Sequence, residues 1–264
     1  MSTNINIIKR KKLKNPVLLV GLPGIGLVGK IAVDYIVKEL GSKCKEYAKI
    51  TSDSFPPAVH TKKGFIELIY DSIYVYRYKN KDYLFLIGPV QPSLVNASNS
   101  KSHYEFADKI ADFCKKANVK EIYTFAGINV GEKRLKKSPK VISVFTDKKI
   151  KKKISKIKIS NLNSKKVEID TLISGVAGLL IGRSYYKYKI SGCCFLGETD
   201  QKLVFGDQGS AKNILQIISK LVDFKVDLKK INKEAKKIEQ SFNKITNKIK
   251  DIDKKEKPTA KYIR

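Results

Sequence analysis

Residues 15–40 read Asn-Pro-Val-Leu-Leu-Val-Gly-Leu-Pro-Gly-Ile-Gly-Leu-Val-Gly-Lys-Ile-Ala-Val-Asp-Tyr-Ile-Val-Lys-Glu-Leu. That is a short buried strand over Val17–Gly21, a glycine-rich turn, and an apolar helix over Gly26–Leu40. Gly24-x-Gly26-x-x-Gly29 satisfies the dinucleotide fingerprint, whose glycines let the backbone approach a pyrophosphate at a helix N-terminus. Gly24 to Lys30 also fills the first seven places of the P-loop pattern. The eighth place needs a hydroxyl for Mg²⁺ and holds Ile31, which has no ligating oxygen. Pro23 removes one N–H from the turn. The acid that would hold a ribose about 20 residues on has no clean match, since Glu46 comes early and Asp53 sits in a Ser-Asp-Ser-Phe-Pro-Pro loop. Leu22, Ile25, Leu27 and Val28 surround the turn with apolar groups, which suit packing or docking better than a phosphate cradle. Two readings stay open: a tight strand-to-helix passage with an interface, or a nucleotide site using Gly24, Gly26 and Gly29.

Working outward, further strands are expected at Glu46–Ser52, Gly64–Tyr70, Ser72–Tyr78, Tyr83–Ile87, Glu121–Phe125, Val141–Phe145 and Ile190–Leu196. The pair 64–70 and 72–78 reads as a hairpin. Helices are expected at His103–Ala117, Leu172–Tyr186 and Ser210–Val222, the last capped by Ser210. Strands alternating with helices predict an α/β fold with helices on both faces of the sheet. Residues 1–14 read as a basic N-terminal arm, and 15–226 as a single domain. Lys148–Lys166, with nine lysines and no acid before Val167, reads as a solvated insertion or hairpin arm. Over 227–250, Leu228, Ile231, Ala235, Ile238, Phe242, Ile245 and Ile249 give an amphipathic C-terminal helix with one narrow seam. Residues 251–264 read as a flexible tail.

The charge of +29 over 264 residues is carried by lysine spread along the chain, with arginine only at Arg10, Arg77, Arg134, Arg183 and Arg264. Arginine is what bidentate phosphate or guanine recognition prefers, so no nucleic-acid partner is expected. The best such patch, Tyr185-Tyr186-Lys187-Tyr188-Lys189, reads as helix-end and strand packing. Cys44, Cys114, Cys193 and Cys194 form no Cys-x-x-Cys pair and fit buried thiols in a reducing cytoplasm. Two histidines, His60 and His103, give no metal motif. No apolar run reaches the 18 residues or so of a membrane span, and no signal peptide is read. Ser102, His103 and Asp108 share one helix and cannot converge as a triad; Ser102 reads as a cap and Asp108 as an exposed acid. Glu198-Thr199-Asp200 reads as a loop at a strand end. No catalytic residue, metal or cofactor is expected.

Three blocks together resemble the archaeal-type branch of the proteasome assembly chaperone family. They are Gly21-Leu-Pro-Gly-Ile-Gly-Leu-Val-Gly29 with its helix; Ser54-Phe-Pro-Pro57 with the glycine-containing segment after it; and Ile173-Ser-Gly-Val-Ala-Gly-Leu-Leu-Ile181 with Gly192-Cys-Cys-Phe-Leu-Gly-Glu-Thr199 and the Asp227-Leu228 helix start. The resemblance implies a phosphorylase-like three-layer α/β/α sandwich with a mixed, largely parallel sheet and no known catalytic chemistry. It implies a cytoplasmic, ATP-independent protein that forms a homo-oligomer and binds proteasome α subunits. Leu22, Pro23, Gly24, Ile25, Gly26 and Leu27, with Phe55, Pro56 and Pro57, are then the turn and interface residues. Some family members end in a hydrophobic–tyrosine–any tail that enters pockets between α subunits. Here Tyr262 is third from the end and Ile263 takes the tyrosine place, so Tyr262, Ile263 and Arg264 are a variant partner-binding tail.

Overall fold

The computed structural model describes residues 3–8, 11–92, 100–157, 162–163, 172–233 and 235. The strands are β1 (Thr3–Ile7), β2 (Val17–Gly21), β3 (Lys45–Ser52), β4 (Val59–Lys62), β5 (Phe65–Leu68), β6 (Asp71–Tyr78), β7 (Lys81–Ile87), β8 (Glu121–Asn129), β9 (Val141–Phe145), β10 (Leu162–Asn163) and β11 (Ser191–Thr199). The helices are α1 (Val28–Leu40), α2 (Ser100–Lys116), α3 (Lys133–Lys136), α4 (Lys148–Ile154), α5 (Val176–Tyr188) and α6 (Gln208–Leu221). One sheet runs β1-β3-β6-β7-β2-β8-β11-β9-β10. The central strands β7, β2, β8 and β11 are mutually parallel. Toward β1 the pairing turns antiparallel.

The alternation of the central strands builds the layers. Val17 and Leu19 point with Phe125, Cys193 and Phe195 into a core shared with α1, α4 and α6. Leu18 and Val20 point with Ile122, Cys194 and Leu196 into a second core against α2 and α5. Strands covered on both faces must be apolar at every position, which is why β2 reads as an unbroken run. The result is the three-layer α/β/α sandwich that the sequence predicts. Among the described residues, no helix is long and apolar enough to cross a membrane.

Four local expectations change. Residues 64–70 and 72–78 do not pair: β5 pairs with β4, and β6 lies between β3 and β7 in the main sheet. The break falls at Asp71, which is buried at the start of β6, while every residue of β4 and β5 is exposed. The N-terminal arm contains an edge strand, since β1 pairs antiparallel with β3 and Thr3 bonds Glu105 of α2 through its N–H at 2.7 Å and its hydroxyl at 3.0 Å. Within 148–166, α4 is packed rather than solvated: Ile150 and Ile154, one turn apart, are buried and the lysines between them face out. Finally, Asp207 rather than Ser210 caps α6, accepting from the Ser210 N–H at 2.9 Å. Helix begins again at residues 229–233, where the Asp227 carboxylate accepts from the Lys229 N–H at 2.9 Å. The rest of the expected 227–250 helix and the whole 251–264 tail, Tyr262, Ile263 and Arg264 included, lie outside the described residues.

Candidate functional site

β2 delivers the chain to the C-terminal edge of the sheet, where open α/β folds bind ligands. The turn here closes tightly. The Leu27 N–H donates to the Gly24 carbonyl at 2.9 Å, making a single 3₁₀ turn over Ile25–Leu27 ahead of α1. Two of the three fingerprint glycines are closely packed, and the third is not. Gly26 has φ of +60°, a conformation that favours glycine, and a Cβ there would lie 2.3 Å from Thr199 Oγ1. A Cβ at Gly29 would lie 1.8 Å from the Phe125 carbonyl oxygen, so α1 rests directly on the β8 backbone. Gly24 is extended, with φ of −159°, and faces open space.

A buried ion pair seals the turn from the α6 side. The Asp207 carboxylate receives Arg134 Nε at 2.6 Å and Nη2 at 2.7 Å. It also accepts from Thr199 Oγ1 at 3.0 Å and from the Ser210 N–H at 2.9 Å, and neither charged side chain is exposed. The Asp207 N–H donates to the Gly26 carbonyl at 2.8 Å. A buried carboxylate and its partners are therefore packed behind Gly26, with Thr199 between them and the turn. Lys30, the P-loop-like lysine, donates to Asp34 at 2.7 Å and to the Gly88 carbonyl at 3.0 Å. Ile31 packs against the core.

On the α5 side, Gln91 ties the turn to the next helix: its Nε2 donates to the Pro23 carbonyl at 2.6 Å, and its Oε1 accepts from the Val176 N–H at 3.3 Å. Beside this bridge lies a cavity of about 290 Å³, walled by Leu22, Ile25, Phe125, Leu172, Ile173 and Ala177 among others. Leu22 is buried and Ile25 is half exposed. Phe55, Pro56 and Pro57 do not join this group. They line a separate groove with Asn4 and Thr51 beside the β1–β3 edge, where the Phe55 ring packs tilted against Phe106, centroids 5.6 Å apart.

None of the four described thiols is activated. Burial pushes the Cys44 thiol up to about 12 and the Cys194 thiol to about 11, and raises the Cys114 and Cys193 thiols well above the usual range. Among the described residues, no three His, Cys, Asp or Glu side chains converge as a metal-binding set. Ser102 and His103 are buried inside α2. Asp108 forms a bidentate pair with Arg183 at 2.7 and 2.6 Å, and that pairing holds its carboxyl below the usual range despite desolvation. The Tyr185–Lys189 patch is partly neutralised, since Asp112 takes both Lys187 at 2.9 Å and the Tyr188 hydroxyl at 2.5 Å. The Arg134–Asp207 pair was not foreseen from sequence, because 73 positions separate the partners and neither belongs to a motif.

A Methanocaldococcus jannaschii protein, MJ1210, is 30% identical over 254 residues, covering 91% of this chain and 89% of its own length. The crystal structure of Pyrococcus furiosus PbaB, described as an archaeal proteasome activator, is 27% identical with a TM-score of 0.81, over 93% of this chain and 99% of that one. Pyrococcus furiosus PbaA, described as an archaeal homolog of proteasome-assembly chaperone, shares the fold at 21% identity and a TM-score of 0.70, over 97% of this chain and 96% of that one. The model of the PAC2 family matches residues 18–246, and the chain belongs to the PAC2 family.

Proposed function

We propose that this chain is a non-enzymatic chaperone or adaptor that self-associates and binds proteasome α subunits, assisting assembly or activation of the proteasome in the cytoplasm. The observation that carries the reading is the likeness to an archaeal proteasome activator along 93% of the chain. The site chemistry agrees with it. The glycine turn is packed against Thr199 and Asp207, the described thiols are held protonated, and the cavity beside the turn is apolar. The alternative is a nucleotide- or nucleoside-binding enzyme using Gly24, Gly26 and Gly29; against it, Gly26 is packed against Thr199, whose hydroxyl donates to the buried Asp207 carboxylate, and Gly29 against the β8 backbone.

The C-terminal Tyr262-Ile263-Arg264 gives a means of contact. Tyr and Ile each contribute on the order of 1.5–3 kcal/mol when fully desolvated, and the terminal carboxylate can pair with a lysine in a receiving pocket. One such tail is weak, but several on one oligomer gain by effective concentration. Surface plasmon resonance of the full chain against purified archaeal proteasome α subunits tests the reading. Saturable binding is expected, weakened by deletion of Lys261–Arg264. Unchanged binding by the deletion variant would remove the tail from the mechanism, and no binding by the full chain would end the proposal.

A further inference from the structure

The chain carries a charge of +29, but its cations are not all held alike. In several places they meet acids of the same surface. Lys30 bonds Asp34 on α1, Arg183 and Lys187 of α5 bond Asp108 and Asp112 of α2, and Lys230 bonds Glu39. On α4 the arrangement differs. Lys148, Lys149, Lys151, Lys152, Lys153 and Lys156 follow one another closely, and all are exposed. Among the described residues, only Lys153 of this run forms a salt bridge, with Glu121. Asp147, the acid before the run, is engaged as the helix N-cap: it accepts from the Ile150 N–H at 3.0 Å and from the Thr146 hydroxyl at 2.9 Å.

Such a helix works against its own stability. Lys148 and Lys149 stand in its first turn, which holds no acid and where the helix dipole disfavours positive charge. Lys148 neighbours Lys151 and Lys152, and Lys149 neighbours Lys152 and Lys153, at the three- and four-residue spacings where like charges repel. What anchors α4 is Ile150 and Ile154, buried where the helix packs on β9 and β11. Neutral or acidic residues at the outward positions would leave that anchor intact and repel less. A local rule broken on an exposed face, with no structural return, marks a functional surface.

The shape and chemistry of this face select its partner. It is convex and only about 10 Å long, because α4 buries one stripe and offers the other. Residues 148–156 contain no arginine, asparagine, glutamine or aromatic residue, the groups that read base edges or stack on bases. Sequence-tolerant nucleic-acid sites add a groove and stacking platforms, which a convex lysine face lacks. A lysine ammonium is a compact point charge on a flexible stem, suited to single carboxylates that present no planar fork. We propose that the outer face of α4 docks an acidic segment of a partner protein, held by Lys148, Lys149, Lys151 and Lys152. This surface is independent of the C-terminal tail and of α-subunit binding.

Fluorescence anisotropy of a labelled glutamate-rich peptide with the full chain, near physiological ionic strength, tests it without any proteasome component. Saturable binding is expected, weakened about tenfold in the combined Lys148→Gln, Lys149→Gln, Lys151→Gln and Lys152→Gln variant. A control combining Lys43→Gln, Lys62→Gln, Lys115→Gln and Lys116→Gln has the same net charge and alters lysines exposed elsewhere. The control is expected to bind like wild type. The α4 variant is expected to unfold at the same or a higher urea concentration than wild type, because repulsion is relieved, so its loss of binding is not loss of fold. No binding by wild type, or an α4 variant that binds no more weakly than the control, overturns the proposal. So does tighter binding of a single-stranded DNA of equal length through the same four lysines, which would make the face a nucleic-acid site. Unfolding of the α4 variant at a lower urea concentration also overturns it, since the run would then serve the fold.

Discussion

Asp207 and Asp71 are both fully buried, and both lie beside the first turns of α1, yet their surroundings differ. Asp207 receives a bidentate guanidinium, a hydroxyl and a backbone N–H. Asp71 packs against Gly88 with no salt bridge among the described residues; only the Val90 N–H and the field of Lys30 favour its charge, and Asp34 opposes it. Desolvation dominates there and pushes the Asp71 carboxyl up to about 8. The two sites are thus of two kinds: one whose carboxylate is ringed by donors, and one where desolvation holds the proton on the carboxyl. The glycine turn belongs to the first kind of region: its electrostatics are completed from within the chain, leaving no deficit for an external anion to fill.

The strongest way to break this contrast is Arg134→Leu, which strips Asp207 of its partner. Urea unfolding should show a loss of about 3–5 kcal/mol, the cost of an uncompensated buried charge. Arg134→Leu combined with Asp207→Leu should recover a large part of it. A loss under about 1 kcal/mol for the single variant would mean that the pair does not hold the turn.

Asp71→Asn probes the other side. The folded carboxyl titrates near 8 and the unfolded one near 3.8, so between those values only the folded chain holds the proton. Wild-type stability is then greatest below the unfolded value and falls as pH rises through about 8. The Asn variant should lose this dependence and become more stable than wild type by roughly 1–3 kcal/mol at the alkaline end. Parallel pH profiles for the two proteins would refute the assignment. The smallest effect is expected from Thr199→Val, which removes one neutral donor while the Arg134 fork remains. Urea unfolding should show a loss of about 1 kcal/mol.

The contrast also marks what the sequence reveals. Strand β2 is readable residue for residue, because an unbroken apolar run has one compatible place in a two-sided sheet; β9 is readable from its β-branched and aromatic residues, with Ser143 among them. The turn is legible as a turn, and its apolar flanks point away from phosphate. The pairing of β4 with β5 is not legible, since fully exposed strands carry no burial pattern to set their partner. The edge strand β1 is hidden by its brevity and by the lysines that follow it. α4 is hidden by five lysines around two buried isoleucines. The ion pair that seals the turn is invisible for a different reason: its geometry exists only after β8, β11 and α6 have assembled. The cavity beside the turn likewise comes from elements distant in sequence, as Gln91 and Ile173 show.

This chain fills its own glycine turn. Titration calorimetry of the full-length protein with ATP and with NAD tests it most directly. No saturable heat is expected from either nucleotide, because Gly26 and Gly29 are already packed against Thr199 and the β8 backbone. Stoichiometric binding at a low-micromolar Kd would contradict it.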